Sequence, residues 1–377
     1  MEKIRILHCL ETVGSGGVEQ LRYNLARYMD KDIFEQKIVC TWAVGVLPDK
    51  FDTEGVQVIP IGDLRSPFHI QQYRKVMKII REYKPHLVHG AVFEGVSLAT
   101  VAGKMAGTPG VIIEETSDPA DRNWKGNMLM RLYGRWADKV VAVSEAGGEY
   151  IRSVLKVVEP KLQVIPNGVA TPLYPDSAAT AALKTALGIS GDDFVVGSVG
   201  RLFDDHKKFS DLIKAVSLLG DRCPGLKLLI VGDGPDADKL KALCSGLGLD
   251  KRVIFVGYQG DTAPYYACMD LFALASQREA FGLVLVEAMF FRLAVVATAV
   301  GGIKNVVLDK ETGLLVDKNA PAALAEGIYQ LYADPERREA FGQAGYSRAE
   351  TEFSIATYIQ RMTGLYTDLV QKKGIRS

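Results

Sequence analysis

Phe194-Val-Val-Gly-Ser-Val-Gly-Arg201-Leu-Phe-Asp-Asp-His-Lys207 contains the unit from which the whole chain is built. A short β-branched run ends on glycine, and a charged turn leads on toward a helical stretch. The same unit recurs in both directions. Upstream, Ile4–Cys9, Gln36–Trp42, Val56–Ile61, Leu87–His89, Val111–Glu115 and Lys139–Ser144 read as strands, with helical stretches such as Glu19–Met29 and Ile70–Tyr83 between them. Downstream, Lys227–Val231, Val253–Val256, Leu271–Leu274, Ala294–Ala297 and Gly313–Val316 continue the pattern. Strands alternating with helices predict parallel sheets made of βαβ units, hence an α/β fold.

The rhythm breaks once. Val164-Ile-Pro-Asn-Gly-Val169 runs into Ala170–Ser177, which carries Pro172 and Pro175 and has no clear period. This reads as the linker between two doubly wound, Rossmann-like domains, residues 1–172 and 173–353. The tail, 354–377, has Ile355, Ile359, Met362, Leu365 and Leu369 at helical spacing and reads as one amphipathic helix. At 377 residues the chain fits two domains of ordinary size.

Composition removes several classes of function. Lys+Arg and Asp+Glu are both 45, so there is no basic excess of the kind nucleic-acid binders carry. The five cysteines are scattered with no Cys-x-x-Cys pair, which points to neither a zinc site nor a disulfide framework but to reduced, buried thiols. The amino terminus reads as a first strand and not as a signal peptide. The longest apolar run, Leu283–Phe291, is interrupted by Glu287 and is too short to span a bilayer. These features suit a cytoplasmic protein, soluble or resting on the inner face of a membrane. Gly14-Ser-Gly16 after the first strand is not a G-x-G-x-x-G fingerprint in register, and no Walker A sequence occurs. A nicotinamide dehydrogenase is therefore disfavoured, and function has to be sought in sites.

Two segments carry chemistry. In Ser276-Gln-Arg-Glu279-Ala-Phe-Gly282-Leu-Val-Leu-Val-Glu287, a strand ends near Ala275 and a helix begins near Gly282. The free N–H groups of Gly282, Leu283 and Val284 would suit a diphosphate. Glu279 and Glu287 could accept hydrogen bonds from sugar hydroxyls. An isolated pair of this kind also fits a helix-dipole role for Glu279. Glu287, surrounded by apolar residues on every side, needs a buried partner. In the second segment Arg201 stands at a strand end, where α/β sheets bind ligands. Lys207 follows closely enough to return to the same site, and two cations there could neutralise a leaving diphosphate.

Taken together, Gly200-Arg201-Leu202 with Lys207, Val231-Gly-Asp-Gly-Pro235, Glu279 with Glu287, Gly301-Gly302 and Thr312-Gly-Leu-Leu-Val316 resemble the retaining glycosyltransferases of family 4, with the GT-B fold. The amino half matches more loosely, through Gly16-Gly17-Val-Glu19, Val143-Ser144-Glu145 and Pro166-Asn167-Gly168. The resemblance implies two Rossmann-like domains facing a cleft, the first on the acceptor side and the second on the donor side, with the last helix crossing back to the first. It implies that Arg201 and Lys207 hold the donor diphosphate, that Glu279 contacts the transferred sugar and Glu287 the ribose. Gly16 and Gly17 would close over the diphosphate, and Tyr258 and Gln259 would lie at the base. It implies no metal and no cofactor, the nucleotide sugar being a substrate.

One departure concerns the fifth strand, where the family often carries a histidine. Here the chain reads Val111-Ile-Ile-Glu-Glu115-Thr-Ser-Asp118, with Glu115 the best match among Glu114, Glu115 and Thr116. Its carboxylate could accept the acceptor's proton or orient a sugar hydroxyl. His89 also ends a strand, where a structural role is the simpler reading; His8, His69 and His86 are given none.

The expected activity is hexose transfer, with retention, from a UDP-sugar to a glycan or lipid-linked acceptor of cell-surface polysaccharide or glycolipid synthesis. The alternatives are a relative acting on free nucleotide sugars or small sugars, such as an epimerase or a sucrose-phosphate-type synthase, and a non-catalytic sugar-binding protein. Two basic, aromatic stretches leave peripheral membrane contact open. Gln71–Lys84 sets Arg74, Lys75, Lys78, Arg81 and Lys84 around Tyr73, Val76, Met77 and Ile80. Arg122–Trp136 mixes Trp124, Tyr133 and Trp136 with Lys125, Arg131 and Arg135.

Overall fold

The computed structural model describes residues 2–14, 16–64, 66, 69–117 and 122–375. In chain order the first elements are β1 (Ile4–Val13), α1 (Gly17–Tyr28), β2 (Phe34–Ala43), α2 (Leu47–Thr53), β3 (Gln57–Pro60), α3 (Ile70–Tyr83) and β4 (Leu87–Ala91). There follow α4 (Val92–Met105), β5 (Gly110–Glu115), α5 (Trp124–Trp136), β6 (Lys139–Ala142), α6 (Glu145–Ser153) and β7 (Leu162–Val164). The second series is α7 (Ser177–Ala186), β8 (Phe194–Val199), α8 (Asp204–Lys207), α9 (Phe209–Leu219), β9 (Leu226–Val231), α10 (Ala237–Gly246) and β10 (Val253–Phe255). It continues with α11 (Ala263–Tyr266), β11 (Leu271–Leu274), α12 (Leu283–Phe290), β12 (Val295–Thr298), α13 (Ile303–Val306), β13 (Gly313–Val316), α14 (Pro321–Ala333), α15 (Pro335–Glu352) and α16 (Ile355–Lys372).

The chain divides into two compact units, Met1–Ala170 with Ile355–Ser377, and Thr171–Ser354. Each holds one fully parallel sheet. The first has the order β3-β2-β1-β4-β5-β6-β7 and the second β10-β9-β8-β11-β12-β13. Every expected strand is present, while the short β7 lies at the start of the stretch where the sequence rhythm breaks. Pairing beside β6 tells it apart, a long-range contact that a three-residue run does not advertise.

Parallel strands buried on both faces need helices on both sides, and the apolar stripes supply them. In the second unit Val196, Leu228, Ile230, Ala273 and Val296 of the sheet pack with Phe209, Leu212, Ile213 and Val216 of α9 and Leu324 and Ile328 of α14. In the first unit α3 puts Tyr73, Val76, Met77 and Ile80 into the core against Leu7, Val39 and Val88. That corrects the reading of this stripe as a surface for a membrane: the stripe faces the sheet, and Ile70, Gln71 and Glu82 remain outside with the basic residues of α3. All five cysteines are free and buried.

α16 belongs to the first unit, and a charged cluster ties it there. Arg22 of α1 donates through Nη2 to the Glu114 carboxylate on β5. His89 of β4 lies 3.3 Å from the same Glu114 oxygen through Nε2, and its Nδ1 is 2.8 Å from the Tyr366 hydroxyl on α16. Tyr358 accepts from Arg22 Nη1 at 3.5 Å. All of these side chains are buried. The arrangement suits neutral imidazole, with Nε2–H donating to Glu114 and Nδ1 accepting from Tyr366. Burial lowers His89 to about 4, with Arg22 beside it adding to the effect. Burial opposes ionisation of Glu114 too, but the Arg22 charge outweighs it and lowers Glu114 to about 2. The strand-end histidine is thus structural.

Removing one partner of a buried pair strands the other charge, at a typical cost of about 3–5 kcal/mol. Glu114→Ala is expected to lose stability of that order in urea denaturation. Both titrations act in one direction. Below about pH 6.5 an unfolded chain protonates His89, whereas the folded protein resists until about 4. Its contribution is therefore complete above pH 6.5 and is lost as pH falls through that window. The Glu114 contribution is lost further down, toward pH 2. The melting temperature should fall on acidification from pH 6.5 to 4, and His89→Gln should reduce that slope.

Candidate functional site

In the second unit β8 lies between β9 and β11, so the sheet winds outward in both directions from the β8–β11 pair. Loops leaving neighbouring strands at such a switch point diverge and open a crevice at the carboxyl ends. The loop after β8 carries Arg201 and Lys207, and the loop after β11 carries Glu279. The topology therefore brings Lys207 to Glu279, 72 positions away in the sequence, with Arg201 on the same loop as Lys207.

The first loop is set from below by the β9–α10 turn. Leu202 is buried; its N–H donates to Asp233 O at 2.9 Å and its carbonyl accepts from Asp236 N at 3.0 Å. Asp236 also accepts from Asp204 N at 2.9 Å. This fit needs Gly232, which has φ +138° and whose Cβ position would lie 1.9 Å from Gly200 O. Val231-Gly-Asp-Gly-Pro235 thus acts here as a cradle for the Arg201 loop. Arg201 itself is exposed. Lys207 closes the single turn α8, and the longer helix α9 starts only at Phe209.

Lys207 Nζ meets Glu279 Oε2 at 2.5 Å. The two loops are also joined through their backbones, Gln277 N donating to His206 O at 2.7 Å. Arg278 Nη2 lies 3.0 Å from His206 Nε2. From the other side, Gly302 N donates to Glu279 O at 2.9 Å and Thr298 Oγ1 to Ser276 O at 2.6 Å. A Cβ on Gly302 would fall 2.1 Å from Ala280 O, so only glycine lets this turn support the Glu279 segment so closely. His206, Arg278 and Thr298 were not singled out in the sequence. Only the long-range pairing of the two loops gives them a role.

Glu287 lies on the second turn of α12, as its spacing implied, and its partner is the Tyr266 hydroxyl at 2.8 Å, which also donates to Val284 O at 3.2 Å. Burial raises Glu287 above the usual carboxylate range, and the Tyr266 bond only partly offsets this. Tyr266 is raised far above the usual phenol range by burial, with the nearby Glu287 charge adding to it. α12 starts at Leu283 after Gly282, at φ +96°, with no capping side chain on its first-turn N–H groups. Tyr258 is exposed beyond β10, and Gln259 Nε2 folds back to Val256 O at 2.8 Å. Gly232 N donates to Gly257 O at 2.8 Å, which places this loop next to the Arg201 cradle. Among the described residues, no three His, Cys, Asp or Glu side chains gather as a metal site would require.

The first unit has its own switch point between β1 and β4. Gly16 precedes α1 and Gly17 opens it. The Glu19 carboxylate accepts from Thr12 Oγ1 at 2.7 Å. Val92, where β4 turns into α4, has φ +62°, a conformation that strains a β-branched residue. The adjacent carboxylates of β5 go separate ways: Glu114 enters the buried cluster, while Glu115 pairs with Arg122 at 2.6 and 3.0 Å and accepts from Ser117 Oγ at 2.7 Å. With both oxygens engaged, Glu115 is better suited to orienting a hydroxyl than to taking its proton. Asp118 lies outside the described residues.

Comparison with known proteins agrees with this geometry. The family model Glycosyltransferase Family 4 matches residues 15–172, and Glycosyl transferases group 1 matches residues 180–348. The D-inositol 3-phosphate glycosyltransferase of Corynebacterium glutamicum (strain R) is 34% identical over 225 residues, 57% of this chain and 53% of the relative. The lipopolysaccharide core biosynthesis glycosyltransferase LpsE of Rhizobium meliloti is 33% identical over 213 residues, 56% of this chain and 58% of its own. The chain thus spans a little over half the length of these curated relatives. The crystal structure of Anabaena HepE in complex with UDP and glucose has a TM-score of 0.86 at 23% identity, covering 97% of this chain and all of that one, a likeness of fold. With a family model matching in each half and two Rossmann-like units of the GT-B type, the chain belongs to the family 4 glycosyltransferases.

Proposed function

We propose that this protein transfers a hexose from a UDP-sugar to the hydroxyl of a glycan or lipid-linked acceptor, with retention of anomeric configuration. The observation that carries the reading is the Lys207–Glu279 ion pair at the switch point of the second sheet, formed from the same β8 loop that carries Arg201. UDP is chosen because a relative of the same fold, HepE, is described in complex with UDP and glucose. The acceptor class follows relatives named for lipopolysaccharide core and inositol-phosphate glycosylation.

In the step itself, the bond between the sugar C1 and the diphosphate oxygen breaks. A bond from C1 to the acceptor oxygen forms on the same face, and the acceptor's proton passes to the departing phosphate. Negative charge accumulates on the diphosphate, where Arg201 and Lys207 act, assisted by the first-turn N–H groups of α12. Glu279, fixed by Lys207, is assigned to the sugar hydroxyls and Glu287 to the ribose. Tyr258 and Gln259 are assigned to the base, and Gly16 and Gly17 to the diphosphate. Glu115, held by Arg122, is assigned to acceptor orientation. No metal or other cofactor is assigned.

Arg201→Ala and Lys207→Ala should each lower kcat by roughly a hundred- to a thousandfold without shifting the melting temperature. Wild-type turnover in the Arg201 variant would falsify the donor-site assignment. In a thermal-shift panel of nucleotides, UDP at about 100 times its Kd should stabilise the protein by about 2.7 kcal/mol, more than the other diphosphates at equal concentration. Gly302→Ala should cost about 1–3 kcal/mol through overpacking against Ala280 O. It should also weaken UDP binding, although Gly302 bears no side chain to contact a ligand.

A further inference from the structure

The loops after β8 and β11 meet through neighbouring residues, His206 and Lys207 on one side and Gln277, Arg278 and Glu279 on the other. Lys207 pairs with Glu279, and the Gln277 N–H donates to the His206 carbonyl at 2.7 Å. Arg278 Nη2 stands 3.0 Å from His206 Nε2. The half-buried imidazole also lies against Phe203, with ring centroids 4.7 Å apart and planes at 33°. One helical turn is too short to hold itself. The N-cap residue Phe203 makes no side-chain bond to α8, and Lys208 ends it at φ +50°. The position of Lys207 is therefore set by contacts with the opposite loop.

In the proposed reaction Lys207 serves the diphosphate and Glu279 the sugar hydroxyls, so their ion pair has to loosen when the donor enters. The His206 contact carries no such second duty. A guanidinium has only donors, so His206 Nε2 accepts, and the ring is neutral with its proton on Nδ1. A proton on Nε2 removes the acceptor and sets two positive groups 3.0 Å apart. Charged neighbours do not replace the bond. On the same turn Asp204 accepts from Ser210 N at 2.8 Å, and Asp205 is exposed. On the β9–α10 turn Asp233 accepts from Gly234 N at 2.7 Å, and Asp236 from Asp204 N at 2.9 Å with Lys239 beside it at 3.2 Å. From the opposite loop Glu279 is taken by Lys207. Arg278 is the charged side chain that meets the ring.

We infer that His206 is a positioning residue of the donor site: its neutral ring, held by Arg278, keeps the Lys207 loop in register with the Glu279 loop while the nucleotide sugar engages both side chains. The role rests on the donor assignment made above. It carries a sign of its own. A histidine that touched the diphosphate directly would bind the anion more tightly once protonated. A histidine that acts through Arg278 has the opposite effect, because protonation opens the contact and lets Lys207 drift. Donor affinity should therefore fall on acidification.

The test is calorimetric titration of the full chain with UDP-glucose from about pH 8 to about pH 5, the span over which histidine side chains change charge. Its diphosphate is esterified at both ends and keeps a constant charge over that span. Wild type should lose affinity by roughly tenfold or more toward the acid end, the worth of one hydrogen bond to a charged group. His206→Gln can still accept from Arg278 but takes up no proton, so it should keep the wild-type affinity of the alkaline end throughout. His206→Ala and Arg278→Ala should bind weakly at every pH. A gain of affinity on acidification, an equal acid loss in wild type and His206→Gln, or wild-type binding by His206→Ala overturns the inference. Amide hydrogen exchange without nucleotide separates it from the donor assignment. The Gln277 amide should lose protection by roughly tenfold in His206→Ala and Arg278→Ala and keep it in His206→Gln. If that pattern holds while UDP-glucose does not bind, the donor assignment falls and the register role of His206 stands. Unchanged Gln277 protection in His206→Ala overturns the register role itself.

Discussion

Parallel strand pairing is the constraint on which the rest depends. In a parallel sheet all carboxyl ends lie on one edge, and every strand must return through a helix on one face or the other. Where the winding reverses, two neighbouring loops part, and their residues meet over the gap. β8 and β11 are the pair at that point in the second unit, and their loops hold Arg201, Lys207 and Glu279. Glycine then sets how closely the supporting turns can approach. Gly232 supports the first loop and Gly302 the second, each at a separation no side chain would allow. The site is thus a backbone construction that presents three charged side chains.

The first unit meets a different demand, because it must hold a helix that comes from the far end of the sequence. Apolar contacts of Met362, Leu365 and Leu369 bring α16 onto the sheet, but such contacts tolerate sliding. Arg22, Glu114, His89, Tyr358 and Tyr366 give the docking one register, since each hydrogen bond has a fixed direction and length. Buried ionic groups are weak evidence for net stability but good devices for specificity, which is the role we assign here. The ionisation of Glu114 and the neutrality of His89 are one consequence of that geometry.

Much of this was legible beforehand. Apolar β-branched runs between helical patterns marked every strand except β7, because period and composition are local properties. The motif residues of the second half could be named for the same reason: glycine turns and strand-end charges leave marks in short windows. Less local features were not visible. Glu287 called for a partner, yet nothing in the sequence pointed to Tyr266. Glu114 and Glu115 are neighbours of one type, but side chains alternate across a strand, so one entered the core and the other met Arg122. The basic, aromatic stretches at α3 and α5 looked alike as strings, and only the sheet showed which apolar face it covers.

What the sequence determined by itself was the alternation of strand and helix, the division into two units, and the identity of the charged residues at strand ends. All of these follow from local periodicity and turn chemistry. Tertiary structure alone decided the winding order that joins Lys207 to Glu279, the cluster that fixes α16, and the exposure of Trp124, Met128, Leu132 and Trp136 on α5. Each depends on which distant segments pair, and pairing is set by the packing of complete faces, which no short window of residues contains.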